Sequence, residues 1–459
     1  MSDPPSPPVD PGALLLTRSY RVLLVLASAI GVLVSLAAWC FLELIHELQV
    51  WVFTDLPDEL GFDTVPTWWP LPVLGVAGVF IALAIVRLPG SGGHEPTAGL
   101  GSPAPTRPVD LPGVVLAALA SIGLGMVLGP EAPLIALGTG LAVLSIQLVR
   151  KDAPDQVRAL MAGAASFAAI SSLFGSPIIG AVIIIEAAGL GGPMLPVVLL
   201  PGLLAGGIGS LVFIGMGSLT GLSSSAYAIA PLSLPDYAQP DLSAFAWVIV
   251  LAVVVAVVAF FIVELGRRTQ AVVSKRALVA IPIAALLVAG LAIAFGQITG
   301  ESADLVLLSG QDAMGPIVDH PASLSVSALA LLIVFKGLAY GLSLGSARGG
   351  PTFPAMFLGI VGGLVASHLP GFSETPAVAA LMGAATVSVL GLPLASIILA
   401  IVVSQAGLGT APLIIVAVVV AFITTRLLSA RRDSAAGAAA GEPGHHAASA
   451  TATASAART

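Results

Sequence analysis

Apolar residues run through the chain in long blocks separated by short polar stretches. Blocks at 21–45, 71–86, 114–128, 193–216, 244–263, 278–295 and 322–344 stand out. Several reach the roughly 20 residues a helix needs to cross a bilayer core. Blocks at 133–149 and 177–190 fall short, which predicts tilted, broken or re-entrant helices. The pattern therefore predicts an all-α, polytopic membrane protein. Composition agrees: 57% of residues are hydrophobic and 9% charged, against about a quarter charged in soluble domains. The 51 glycines and 35 prolines fit close helix packing and interrupted helices.

Basic residues between the blocks set an orientation, because Lys and Arg stay on the cytoplasmic side. Arg18 and Arg21 precede the first block, and Arg87 and Arg107 follow the second. Arg150, Lys151 and Arg158 come next, then a cluster of Arg267, Arg268, Lys275 and Arg276, and finally Arg426, Arg431 and Arg432. Stretches near 55–63, 235–241 and 301–319 are acidic instead. Both termini and the 87–110, 150–158 and 267–276 loops are expected to face the cytoplasm of a cell-membrane protein. Residues 1–17 and 431–459 are expected to be disordered tails. The first block lacks a basic leader and reads as a retained helix. The single Cys40 excludes a disulfide framework.

The membrane part repeats itself. Gly129-Pro130-Glu131-Ala132-Pro133 and Gly350-Pro351-Thr352-Phe353-Pro354 share the pattern G-P-x-x-P-x-x-x-x-G, closed by Gly138 and Gly359. Leu160-Met161-Ala162-Gly163-Ala164 and Leu381-Met382-Gly383-Ala384 follow at nearly the same spacing, then Pro177 and Pro393. Two membrane repeats are therefore expected, at 18–216 and 244–430, joined by an extracellular loop at 217–243. The first starts inside and the second outside, so the repeat is inverted. That architecture places a substrate near the midplane between the halves.

Each G-P-x-x-P segment reads as a helix beginning inside the membrane. Proline fits a first helical turn, and glycine lets the backbone approach closely. Helix starts expose unpaired N–H groups and partial positive charge, so two of them aimed at one place would hold an anion. Glu131 lies in the first start. It is either an N-terminal acid favourable to the helix dipole or, being ionisable at membrane depth, functional. Ionised, it could occupy the anion site itself; protonated, it could leave. Ser91 and Gly92, in Gly90-Ser91-Gly92, could offer a hydroxyl beside exposed backbone, though a flexible loop explains them equally well. Lys336 and Arg348 could add positive potential near the path, or cap carbonyls and snorkel. Glu186 could carry a proton or form a structural ion pair. The histidines are scattered without metal-ligand spacing. No phosphate loop, dinucleotide fingerprint or nucleophile elbow is present, so no metal, cofactor or nucleic acid is expected.

Over residues 18–430 these motifs resemble the CLC family of chloride channels and proton/chloride antiporters. Gly90-Ser91-Gly92 resembles the family's G-S-G-x-P segment. Gly129–Pro133 resembles G-(K/R)-E-G-P, with Glu131 at the gating glutamate. Lys336 through Gly359 resembles K-x-L-A-T-x-L-T-L-G-S…G-G-x-F-x-P. Residues 177–186 resemble A-P-x-A-G-x-x-F-x-x-E. The resemblance implies an inverted repeat in a homodimer, one pore per subunit. It also implies anion binding by Ser91, Gly92, the amides of Gly129–Ala132, and Thr352 and Phe353. There are departures. Pro130 and Ala132 flank the glutamate in place of a basic residue and a glycine. Thr352 stands where the family has phenylalanine. No tyrosine lies in the last helices, and Ala187 stands where many antiporters carry a second glutamate.

The sequence is thus identified as a divergent, bacterial-type relative that moves small anions, chloride foremost, through a glutamate-gated, channel-like path. Two alternatives stay open: a proton-coupled chloride antiporter, and a secondary transporter of another small solute. The latter would need a larger polar cavity or paired carboxylates at depth, and an enzyme would need a nucleophile and base or a metal set; none is visible.

Overall fold

The computed structural model describes residues 11–100, 104–192, 194–221, 231–237, 239, 241–407 and 409–439. They are helical, without a strand among them. A short α1 (Pro11–Leu15) leads to α2 (Arg18–Val50), which Thr17 caps by accepting the Tyr20 N–H at 3.1 Å. α2 continues through a wider turn at Trp51–Asp55 into α3 (Leu56–Glu59). Then come α4 (Pro70–Arg87), α5 (Leu111–Ala118), α6 (Glu131–Val149), α7 (Asp155–Phe174), α8 (Pro177–Ala187) and α9 (Leu195–Thr220). The second half holds α10 (Leu242–Thr299), α11 (Gln311–Asp319), α12 (Val326–Ser346), α13 (Thr352–Ala366), α14 (Glu374–Leu390), α15 (Pro393–Ser404) and α16 (Ala411–Ala439). Among the described residues, eight helices are long and apolar enough to cross a membrane. Many of their large side chains stay exposed on outer faces, among them Phe80, Phe261, Leu211 and Ile415, as a hydrocarbon solvent permits.

The internal repeat is a packing fact. α6 packs on α7 as α13 packs on α14, α7 on α9 as α14 on α16, and α2 on α9 as α10 on α16. Gly138 and Gly359, which close the two motifs, have the same job. A Cβ on Gly138 would lie 3.0 Å from the Ala165 carbonyl, and one on Gly359 would lie 2.6 Å from the Leu381 carbonyl. Only glycine lets each helix lie this close to the next.

Four boundaries differ from the sequence reading. The expected 267–276 turn narrows to a kink: 267–275 stay helical, and two helices meet at Arg276 (φ −146°, ψ 53°), so α10 is two spans joined there. The stretch is free of glycine and proline and rich in helix formers, so the break is confined to one residue. Residues 431–439 complete α16 rather than starting a tail, and Arg432 reaches Glu264 on α10 at 3.6 Å. Residues 11–15 are helical; the rest of the expected N-terminal tail, 1–10, and residues 440–459 lie outside the described residues. In the expected 217–243 connection, 217–220 finish α9 and 242–243 begin α10. Asp241 caps α10 through the Ala244 N–H, which holds its carboxyl below the usual range. Residues 222–230 of that connection lie outside the described residues.

Candidate functional site

The two G-P-x-x-P starts meet. The Gly129 N–H donates to the Gly350 carbonyl at 2.8 Å and the Gly350 N–H donates back to Gly129 at 2.5 Å. This antiparallel bridge joins the halves at the midpoint of the repeat. Pro130 (φ −87°, ψ 0°) and Pro351 (φ −92°, ψ −4°) take the same shape just before α6 and α13. Each half also lends the other a buried serine. The Ser343 hydroxyl accepts the Val127 N–H and the Ser121 hydroxyl accepts the Arg348 N–H, both at 3.1 Å. The approach to each helix start is fixed by a group from the opposite repeat.

Glu131 lies at this junction and is fully buried. Its Oε1 accepts the N–H of Thr352 and the N–H of Phe353, each at 3.1 Å. These are the first amides of α13, so a carboxylate from one half sits on the helix start of the other. Its Oε2 has no hydrogen-bond partner of good geometry among the described residues, nor does the nearby Thr352 hydroxyl. Both glycines are required here: a Cβ on Gly129 or Gly350 would collide with the Glu131 carboxylate. Phe353 is stacked on Phe174 with centroids 5.6 Å apart, and Tyr340 donates to the Pro351 carbonyl at 2.6 Å. The carboxyl group is thus held by amide dipoles, and no salt bridge involving it is found among the described residues.

The other expected site residues fall around this centre unequally. The Gly129 amide is engaged in the bridge and is not free for an anion. Ala132 is buried one residue beyond Glu131 and lines a large cavity. Ser91 is exposed with a left-handed φ of 50°, and its carbonyl accepts the Arg348 Nε–H at 3.1 Å. Ser91 is not among the groups bonded to the Glu131 carboxylate. Gly92 is buried at φ 74°, close to Ala117 and Arg348. Arg348 also faces Glu95 at 3.9 Å, so it ties the Ser91 loop to the segment that leads into α13.

Lys336 is fully buried and shares its three ammonium N–H donors among four successive carbonyls, Leu305 to Leu308, at 2.9–3.3 Å, against the ring of Phe357. Its ammonium caps a loop. Lys336→Met should leave those carbonyls without a donor. Thermal unfolding in detergent should show a loss of about 3 kcal/mol, since bonds from a charged donor contribute about 1.5–3 kcal/mol each. Glu186 is equally well defined. Its two oxygens accept the N–H groups of Leu394 and Ala395 at 2.9 and 2.7 Å, so α8 caps α15. Glu186→Ala should cost about 1 kcal/mol of stability, the usual loss of a helix cap. If it instead abolished transport at unchanged stability, a role in ion or proton movement would follow.

The large cavity, about 1220 Å³, is bounded by α2, α6, α7 and α8. Its lining includes the polar side chains of His94, Arg107, Asp110 and Gln156 as well as Ala132 and Ala187. Arg107 grips Asp110 in a two-pronged pair at 2.9 and 3.0 Å. Burial pulls the His94 imidazole below its usual range, and its Nε2 lies 2.8 Å from the Gly99 carbonyl. No group of metal-ligating side chains occurs among the described residues.

A profile of the voltage-gated chloride channel family matches residues 78–426. The chain belongs to that family. This CLC family comprises channels and transporters, and the chain is a multi-pass membrane protein of it. YfeO of Escherichia fergusonii, provisionally named an ion-transport protein, is 29% identical over 362 residues, which is 77% of this chain and 81% of the relative. YfeO of Escherichia coli O7:K1 is 28% identical over 359 residues. Among solved CLC-fold structures, a slow cyanobacterial Cl⁻/H⁺ antiporter superposes with a TM-score of 0.70 at 17% identity. The match covers 88% of this chain and 94% of that one. A CLC-type fluoride/proton antiporter superposes with a TM-score of 0.64, also at 17% identity, covering 88% and 95%. These likenesses establish the CLC fold and its inverted repeat.

Three features of this CLC protein escaped the sequence reading. Tyr340, one helical turn after Lys336, was not singled out. Phe174, which backs Phe353, has no distinguishing signal in the sequence. The crossed serines had a visible signal, since Ser121-Ile122-Gly123 and Ser343-Leu344-Gly345 precede the two G-P starts at similar distances.

Proposed function

We propose that the protein moves small inorganic anions, chloride foremost, along a path closed by the Glu131 carboxylate. One observation carries this reading: a buried carboxylate accepts the first two free amides of α13 and has no cationic partner among the described residues. A site that holds a carboxylate by N–H groups alone has the chemistry for a halide. When Glu131 leaves, the Thr352 and Phe353 amides are open to an anion, with the Thr352 hydroxyl beside them. Gly129 contributes by bringing the two backbones together, and Ala132 by lining the approach. Ser91, Gly92 and Arg348 shape the cytoplasmic side of that approach. Movement is channel-like, since Ala187 offers no second carboxylate. The protein acts in the cell membrane as a homodimer, with both termini in the cytoplasm.

A second reading is supported by the large cavity. It runs from Ala187 to Ala132, so water in it could bring protons towards Glu131 without a relay carboxylate. Proton-coupled exchange of chloride or fluoride would then result, as the names of the two solved antiporters state for those proteins.

Liposomes loaded with potassium chloride or potassium fluoride test both readings. With valinomycin present, efflux of halide without net proton uptake supports the channel. Proton uptake in a fixed ratio to halide supports exchange. Movement of an organic solute or a cation with no halide flux would refute the proposal.

A further inference from the structure

A second cavity, about 270 Å³, lies in the other half between α10, α12, α13 and α14. Leu160 lines the large cavity and the matching Leu381 lines this one, but the two cavities use different faces of α6 and α13. Their chemistry differs completely. The large cavity has charged and polar groups such as Arg107, Asp110 and Gln156 among its apolar walls, whereas the small one is walled by side chains such as Val254, Val258, Leu358 and Val389. Its single polar wall residue, Tyr340, already gives its hydroxyl to the Pro351 carbonyl. Water would find no partners there, and an empty recess forfeits packing.

The recess opens beside the outer face of α10. Val254 is 50% exposed there and neighbouring Phe261 63%, so the medium at its mouth is the hydrocarbon of the bilayer. Four helices of one chain wall it, so a neighbouring protein helix about 10 Å wide is too thick to enter. A single acyl chain is not. We propose that this cavity takes one acyl chain of a membrane phospholipid, and that the chain steadies the start of α13 through Tyr340. Tyr340 forms the inner wall and bonds to the residue just before the amides that hold Glu131. The effect on transport rests on the reading given above; the lipid site does not.

Gly362 gives a clean test. It lines the cavity, and a Cβ built on it meets nothing within 4 Å. Gly362→Leu fills the space and favours the helix. Val258→Phe, on α10, closes the mouth from outside and serves as a second variant if the first folds poorly. The full-length protein, purified in mild detergent and supplied with dioleoyl phosphatidylglycerol, is examined by native mass spectrometry. Wild type should retain one more phospholipid per protomer than either variant. Equal retention by wild type and both variants overturns the proposal, as does equal filling by free oleic acid, which would show a site for apolar solutes at large. In a second arm, chloride flux is compared between liposomes of long-chain and short-chain phospholipid. Wild type should differ by about fivefold, the low end of coupling between distinct sites, and Gly362→Leu should not respond. Equal responses overturn the link to the anion path. Absence of flux in every sample refutes the transport reading and leaves the lipid count as the measure of the site.

Discussion

Glu131→Gln should leave an anion flux that no longer responds to pH. The Glu131 carboxyl accepts two N–H groups at 3.1 Å, and on the proposed reading it is ionised in the wild type and fills the place an anion would take. Hydrogen bonds to a charged group contribute about 1.5–3 kcal/mol each, and every 1.4 kcal/mol is about a factor of ten in occupancy. Protonation removes the charge that makes these bonds strong. The sign follows directly: acidification favours the carboxyl leaving, so wild-type flux should rise as pH falls. A glutamine carries no charge at any pH and competes weakly with an anion. The variant should therefore show at least about tenfold more flux than wild type at neutral pH, and a flat profile below it. Fluorescence- or electrode-based efflux from liposomes at several pH values measures this. A variant that keeps the wild-type pH dependence would remove Glu131 from the gating role.

Gly350→Ala is expected to be nearly as severe for a different reason. The added methyl would occupy the space of the Glu131 carboxylate. Either the carboxylate leaves α13 or the Gly129–Gly350 bridge opens. Overpacking of this kind costs about 1–3 kcal/mol, so the unfolding midpoint should fall and the pH response should be lost. The double variant Gly350→Ala with Glu131→Ala separates the causes. Deleting the carboxylate clears the space, so most of the lost stability should return. If the double variant is as unstable as the sum of the singles, the collision is not the source of the damage.

The architecture was legible because it is written in coarse features. Apolar blocks gave the spans, and aligned prolines gave the repeat, since Pro130 with Pro133 and Pro351 with Pro354 mark helix starts whatever surrounds them. Glu131 was legible as an acid where membrane proteins seldom place one. Which amides it touches was partly legible, because Thr352 and Phe353 follow the second proline. The loss of the Gly129 amide to Gly350 was not. It depends on two backbones meeting from opposite halves, a long-range pairing with no local signal. The same holds for Lys336, where a buried cation fits an anion path and a carbonyl cap equally well until the loop at 305–308 is in place. The turn between the two spans of α10 was legible in the basic cluster, but its extent was not, because charged residues also form good helices and only Arg276 leaves helical geometry.

Chloride binding to the purified protein at equilibrium, followed by calorimetry across pH, tests the competition between carboxylate and anion most directly. Wild type should bind weakly at pH 7.5 and more tightly on acidification, with proton uptake on binding. Glu131→Ala should bind at least about tenfold more tightly at pH 7.5, with no dependence on pH. Equal affinities in the two proteins at every pH, or tighter binding by wild type, would show that the Glu131 carboxylate does not occupy the anion's place.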